Sequence, residues 1–245
     1  MSDVNFASRP ARPVLKVCCI ASIEEAQLAI QAGANILGLV SAMPSGPGPL
    51  PDALIAKIAA AVPAPTQTFL LTCLIRAIDI AAQHRAARTT GLQLVDHVSH
   101  NELRQLRQLC PSARLVQVIH VLDETSIDEA RAVAPLVDAL LLDSGNPRLR
   151  VKELGGTGRA HNWATSARIV QAVHPLPVFL AGGLDASNVA QALAQVRPHG
   201  VDVCSRVRTN DLLDSAKLSA LVSNLGAGPQ HHAKPKPCAP MRNQP

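Results

Sequence analysis

From Val14 onward, short apolar runs alternate with longer stretches in which apolar residues recur every three or four positions. The runs have the length of buried strands, and the longer stretches have the period of helices with one face buried. The pattern predicts strands near 14–20, 36–40, 67–73, 90–95, 114–120, 137–142, 177–181 and 200–204. It predicts helices near 22–32, 52–61, 76–87, 99–109, 125–134, 162–173, 185–195 and 211–223. Ser22-Ile23-Glu24-Glu25 and Ser99-His100-Asn101-Glu102 carry the signature of a capping box, which opens a helix by giving orphan N–H groups side-chain acceptors. Strands alternating with helices make right-handed parallel units, and eight of them in about 210 residues suit a single closed (β/α)8, or TIM, barrel. An open doubly wound sheet fits less well. It usually carries a glycine-rich turn after its first strand, where this chain has Cys19-Ile20-Ala21-Ser22.

Composition sharpens this picture in two places. Aromatic residues make up only 2% of the chain while hydrophobic ones make up 47%, so the core must be aliphatic, as in parallel sheets buried on both faces. The formal charge of +5 arises mostly at the ends. Lys234, Lys236 and Arg242 give residues 226–245 a charge of +3, and Arg9, Arg12 and Asp3 give residues 1–13 a charge of +1, leaving +1 for the rest. A basic, aromatic-bearing stripe of the kind that binds nucleic acid is not visible. The expected organisation is an N-terminal extension (1–13), a barrel (14–225) and a disordered, proline-rich basic tail (226–245). With no membrane span and no signal segment, the six cysteines, which lack metal-type spacing, read as reduced thiols of a cytoplasmic protein. No metal site and no cofactor are expected.

Barrel enzymes place their chemistry at the C-terminal ends of the strands. Alternation along the first strand puts Lys16 and Cys18 on one face and Val17 and Cys19 on the other. If the first face is the interior, Cys18 sits at the mouth above an ammonium that would favour its thiolate; otherwise it is a small buried hydrophobe. The adjacent cysteines are then poorly placed for a disulfide with each other. The sixth strand ends Leu140-Leu141-Leu142-Asp143, and a carboxylate after so apolar a run either faces a ligand or caps the following turn. Leu154-Gly155-Gly156-Thr157-Gly158 lets backbone approach a ligand closely, with Gly156 and Gly158 as contact candidates. Ala181-Gly182-Gly183-Leu184, followed by a helix with Asp185 and Asn188 at its start, and Cys204-Ser205-Arg206 lie after the seventh and eighth strands, where barrels commonly seat phosphate. Gly182, Gly183, Ser205 and Arg206 are therefore candidate phosphate contacts, with Lys16 as a further substrate-binding candidate.

Lys16-Val17-Cys18-Cys19-Ile20, Leu142-Asp143, Gly155-Gly156-Thr157-Gly158 with Asn162-Trp163, Ala181-Gly182-Gly183-Leu184, and the run from Arg197 to Ser205 occur in one order. Together, over roughly residues 14–225, they resemble the phosphoribosylanthranilate isomerase family. The resemblance implies a metal-free Amadori rearrangement in tryptophan biosynthesis, on a small phosphorylated substrate, by a monomer or homodimer. It implies that Asp143 protonates the ribose ring oxygen and that Cys18 then removes the C2 proton. Four departures stand out. Cys19 replaces a glycine, Cys204-Ser205-Arg206 replaces Ser-Ser-Gly, and Gln93-Leu94-Val95-Asp96 replaces Gln-Leu-His-Gly. Ser45-Gly46-Pro47-Gly48 lacks the arginine of a Ser-Pro-Arg triplet that binds the anthranilate carboxylate. Arg148, Arg150 and Arg159 are alternative cations, and an arginine placed at Gly48 is the direct test. A related isomerase on another phosphosugar amine, or a non-catalytic phosphometabolite-binding barrel, are the alternatives.

Overall fold

The computed structural model describes residues 12–154 and 161–226. Eight parallel strands follow one another in chain order and close into a barrel. They are β1 (Val14–Val17), β2 (Ile36–Val40), β3 (Gln67–Thr72), β4 (Gly91–Leu94), β5 (Arg114–His120), β6 (Ala139–Asp143), β7 (Val178–Leu180) and β8 (Gly200–Val203). Closure is made by β1 against β8, with Lys16 opposite Asp202 and Val17 opposite Val203. The helices are α1 (Ile23–Gln31), α2 (Asp52–Ala61), α3 (Ala77–Ala87), α4 (His100–Leu109), α5 (Thr125–Val133), α6 (Trp163–Ala172), α7 (Val189–Val196) and α8 (Ser215–Leu225). None of the described helices is long and apolar enough to cross a membrane.

Alternation along the strands sorts the core into two layers. Leu15, Val17, Leu37, Leu39, Leu140 and Leu142 point outward, into the cluster shared with the helices. Cys18, Ile36, Phe69, Val116, Leu141 and Phe179 belong to a second cluster inside the barrel. α4 shows how the outer layer forms. The hydroxyl of Ser99 accepts from the Glu102 N–H, and the helix buries Leu103 and Leu106 against the sheet. Each such leucine contributes about 1.5–3 kcal/mol through lost apolar exposure. Both expected capping boxes form their first half, but each glutamate turns elsewhere. Glu25 accepts from the Ala21 N–H and Glu102 from the Ala77 N–H, so each ties its helix to a neighbouring segment.

Three expected elements differ. β1 ends at Val17, because Cys19 adopts a left-handed backbone (φ 60) that stops the strand. α7 begins at Val189, because residues 185–188 form a turn in which Asp185 accepts from the Ser187 N–H and Asn188 accepts from the Asp185 N–H. Asn188 therefore makes no side-chain cap on α7. α8 begins at Ser215, because β9 (Arg208–Thr209) and β10 (Leu212–Leu213) pair as a hairpin. Its two-residue turn, Asn210-Asp211, has positive φ at both positions, the geometry that matches strand twist and that Asn and Asp tolerate. Nearly all of the expected extension and tail lies outside the described residues.

Candidate active site

The C-terminal rim of the barrel surrounds a cavity of about 690 Å³, open mouth included. That is the size of a small-molecule site. Cys18 and Asp143 both line it, from opposite sides of the barrel, at 6% and 8% exposure. Gly182, Gly183, Ser205 and Arg206 form one end of the wall, and Met43, Ser45, Gly46, Pro47, Leu71, Val95 and Leu154 form the other.

Lys16 and Cys18 do face the barrel interior. A side chain on Gly38 would meet Cys18 Sγ at 2.9 Å and Lys16 Nζ at 3.0 Å, so the small residue on β2 makes room for both. Lys16 does not line the cavity, however, which corrects its expected role as a ligand contact. It lies one layer lower, 1% exposed, and donates to Asp202 Oδ1 at 2.9 Å. Burial opposes its charge, but the Asp202 carboxylate more than compensates and holds its pKa above the ordinary value. Asp202 itself reaches the cavity wall. Its signal in the sequence was a single acid within an apolar strand, in register with the single base of β1.

Cys19 also departs from expectation. Simple alternation sends it to the outer face, but its left-handed backbone turns it back into the cavity. The αL conformation costs a non-glycine residue about 1–2 kcal/mol. The turn brings Cys19 Sγ to 3.9 Å from Cys18 Sγ, with the Cys19 thiol as donor. That hydrogen bond, aided by the Lys16 charge, lowers the pKa of Cys18 against the opposing effect of burial. The peptide carbonyls of Cys18 and Cys19 accept from Arg208 Nη2 at 3.3 and 2.5 Å. Arg208 is itself locked on Glu25, its Nη1 and Nη2 donating at 2.9 and 3.1 Å. Sequence reasoning missed this clamp, because its partners are 183 residues apart.

Asp143 closes β6 and caps the following turn, one of the two roles that the sequence left open. Its Oδ1 accepts from the Ser144 N–H at 2.7 Å, which shapes the turn, while the residue lines the cavity. His161 lies close enough for the Asp143 carboxylate to favour its charge, yet burial dominates and pushes its pKa down to about 4, so the imidazole is neutral beside the acid. On the same floor, Gln93 Oε1 is buried and has no partner among the described residues. An orphaned acceptor in a cavity wall calls for a donor from a ligand or water.

Gly182 and Gly183 have φ of 85° and 63°, and Asn188 Nδ2 donates to the Gly183 carbonyl at 2.9 Å, fixing the turn. Ser205 and Arg206 lie in a short 3-10 turn after β8, and Arg206 ion-pairs with Asp185 at 3.5 Å. Arg206 is the one cation among the described residues that line the cavity. Gly156 and Gly158 lie outside the described residues, as does Arg159. Arg148 and Arg150 are exposed and not on the cavity wall. Arg148 instead pairs with Asp123 at 3.4 Å.

Residues 15–224 match the family profile described as N-(5'phosphoribosyl)anthranilate (PRA) isomerase. The chain belongs to that family. It is 32% identical over 232 residues to the N-(5'-phosphoribosyl)anthranilate isomerase of Thermosynechococcus vestitus, covering 93% of this chain and 96% of that protein. It is 35% identical over 201 residues to the isomerase of Haloferax volcanii, covering 80% and 85% of the two chains. The crystal structure of the Thermotoga maritima phosphoribosyl anthranilate isomerase superposes with a TM-score of 0.74 over 87% of this chain and 98% of that one, at 20% identity. At that identity the likeness speaks for the barrel alone.

Proposed function

We propose that the cavity carries out the isomerisation for which its family is named, with Asp143 as general acid, Cys18 as base and the β7–β8 turns as the phosphate seat. The substrate is then N-(5'-phosphoribosyl)anthranilate, an aminoaldose phosphate, and the step serves tryptophan biosynthesis. Asp143 donates a proton to the ribose ring oxygen as the C1–O bond breaks, leaving an open-chain Schiff base. Cys18 removes the C2 proton, and the resulting enolamine tautomerises to the 1-amino-1-deoxyketose. The reaction is a net internal hydrogen shift, so one acid, one base and an anchor suffice.

One observation carries this reading: a thiol with a depressed pKa and a buried carboxylic acid share one cavity with a glycine-lined, arginine-bearing rim. Gly182, Gly183, Ser205 and Arg206 offer backbone flexibility, a hydroxyl and a fixed charge for the phosphate, while Gln93 Oε1 can accept from a substrate hydroxyl or amine. The apolar opposite end, with Met43, Leu71, Val95 and Leu154, suits an aryl ring. Cytoplasmic residence and a monomeric or homodimeric state belong to the same reading. The test is a steady-state assay with the anthranilate substrate on Cys18→Ala and Asp143→Asn. Each should lower kcat by about 10²–10⁴, the usual contribution of a positioned acid or base, with thermal unfolding little changed. A Cys18→Ala protein of full activity would refute the mechanism.

A further inference from the structure

The isomerisation needs one sulfur, yet three meet at the mouth of β1 and β8. Cys19 Sγ lies 2.9 Å from Cys204 Sγ and 3.9 Å from Cys18 Sγ, and all three are free thiols. Two backbone features make the shorter contact. β1 and β8 run side by side with Val17 opposite Val203, which brings the residues beyond their ends together. The left-handed turn at Cys19 then points its side chain across the mouth instead of outward. At 2.9 Å the two sulfurs need to move less than about 1 Å to reach the ~2.05 Å of a covalent bond. Both cysteines stand where the resembled pattern has Gly and Ser, so neither is required by the acid–base chemistry. The thiols do not assemble into a metal cage: among the described residues, no group of three or more His, Cys, Asp or Glu side chains is placed to hold an ion.

We propose that Cys19 and Cys204 are an oxidisable dithiol, a modification site that a low-molecular-weight disulfide closes into a Cys19–Cys204 bond. Cys204 is the point of entry, being partly exposed on the cavity wall while Cys19 is buried. Its thiolate, after losing a proton to solvent, attacks one sulfur of the small disulfide, RSSR. That S–S bond breaks, and one RS⁻ leaves and is protonated to RSH. Cys19, whose thiol donates toward Cys18 in the reduced protein, loses its proton to solvent and attacks the Cys204 sulfur of the mixed disulfide, breaking its bond to the small thiol. The second RS⁻ leaves and is protonated. Two protein thiols are oxidised, one RSSR is reduced to two RSH, and Cys18 is left unmodified. The bond staples the β1 turn to the turn bearing Ser205 and Arg206, and it removes the S–H that stabilises the Cys18 thiolate. Its effect on turnover rests on the isomerase reading; its formation does not.

The experiment treats the reduced full-length protein with 2-hydroxyethyl disulfide, followed by peptide mapping and activity assay. A loss of two hydrogen masses, a cross-link joining the Cys19 and Cys204 peptides, and a fall in kcat/KM of roughly tenfold or more, reversed by dithiothreitol, are expected. A lasting mercaptoethanol adduct at Cys204, a Cys18–Cys19 link, or six unreacted thiols would overturn the proposal. Cys204→Ser should abolish the cross-link and bring the ratio of oxidised to reduced activity near unity; if that ratio still falls, another thiol carries the effect and the proposal fails. If the cross-link forms in a protein whose reduced state never isomerises the substrate, the dithiol stands and the isomerase reading falls.

Discussion

The two ends of the cavity are built by different means. At the β7–β8–β1 end, buried groups hold the wall: Lys16 on Asp202, 2% and 8% exposed at their side chains, and Arg208 on Glu25, 7% and 10% exposed. At the β2–β4–β6 end the loops are tied across one another at the surface. Ser45 donates to the Lys152 carbonyl, and Lys152, its side chain 46% exposed, pairs with Asp96, which is 11% exposed. Fully exposed pairs are worth about 0–1 kcal/mol, removing one partner of a buried pair costs about 3–5 kcal/mol, and a pair open on one side only falls between them. The end that carries the proposed base and phosphate seat is thus set by the fold, and the end that would meet the aryl group is left more adjustable. All four departures from the family pattern lie around this rim, and the one at Ser45–Gly48 spans it, with Ser45 tied to the Lys152 carbonyl and Gly48 packed on Cys19.

The sharpest way to test that difference is to break one tie on each side. Arg208→Ala strands the Glu25 carboxylate and releases the carbonyls of Cys18 and Cys19; it should destabilise the fold by about 3–5 kcal/mol in denaturant titration. Lys152→Ala removes a half-exposed ammonium and should cost less, about 1–3 kcal/mol, for the Asp96 carboxylate left unpaired. The pH dependence separates them further. Arg208 and the N–H groups of Leu213 and Ala21 lower the pKa of Glu25 from its ordinary 4.5, despite the opposing effect of burial. A depressed acid stabilises the native state fully above its unfolded pKa, and that contribution disappears as pH falls through the native value. The wild type should therefore lose stability below about pH 4.5 more steeply than Arg208→Ala does. Equal slopes would mean that the clamp contributes nothing.

The same asymmetry governs what could be read from the chain. The barrel was legible because strand and helix periods repeat eight times, and Asp143, Gly182, Gly183, Ser205 and Arg206 could be placed by counting strand ends. Reading failed where one dihedral or a distant partner decides. Cys19 was assigned to the wrong face because alternation holds only while the backbone stays extended. Residues 211–213, the second half of the hairpin, were taken for the start of the last helix, although Asn210 and Asp211 both tolerate positive φ. Lys16 was given to the ligand because its partner, Asp202, is 186 positions away. Gly48 was the natural place to restore an arginine, but its φ is 84° and a Cβ there would lie 2.8 Å from Cys19 Cβ, so the site has no room for one.

An exchange of charge between the two ends has a smaller expected effect. Arg206→Ala removes the only lining cation among the described residues, and a lost charge-assisted contact costs about 1.5–3 kcal/mol, which is roughly 10- to 100-fold in kcat/KM. Inorganic phosphate, as a competitive inhibitor, should weaken in parallel. Ser45→Arg puts a guanidinium at the apolar end on a residue that lines the cavity without a left-handed backbone. If the substrate bears the anthranilate carboxylate, its KM should fall by about tenfold, with phosphate inhibition unchanged. A Ser45→Arg enzyme with no change in KM would show that the carboxylate is already satisfied by another group.

The smallest effect on stability is expected at the seam, where Cys19 joins the two ends. Cys19→Gly relieves a strained αL residue, a gain of about 1–2 kcal/mol, but it frees the unfolded chain and empties a small buried volume. These terms oppose one another, so the net change should be within about 1 kcal/mol. Turnover should nevertheless respond. The Cys19 thiol is the largest influence holding the Cys18 pKa down, with Lys16 assisting, so its removal raises that pKa. In the proposed mechanism the base acts as thiolate, so the limb of the kcat/KM profile that follows its ionisation should move to higher pH. A profile that keeps its position would assign thiolate stabilisation to the Lys16 ammonium, acting against the Asp202 carboxylate, and would locate the origin of reactivity one layer down, inside the barrel.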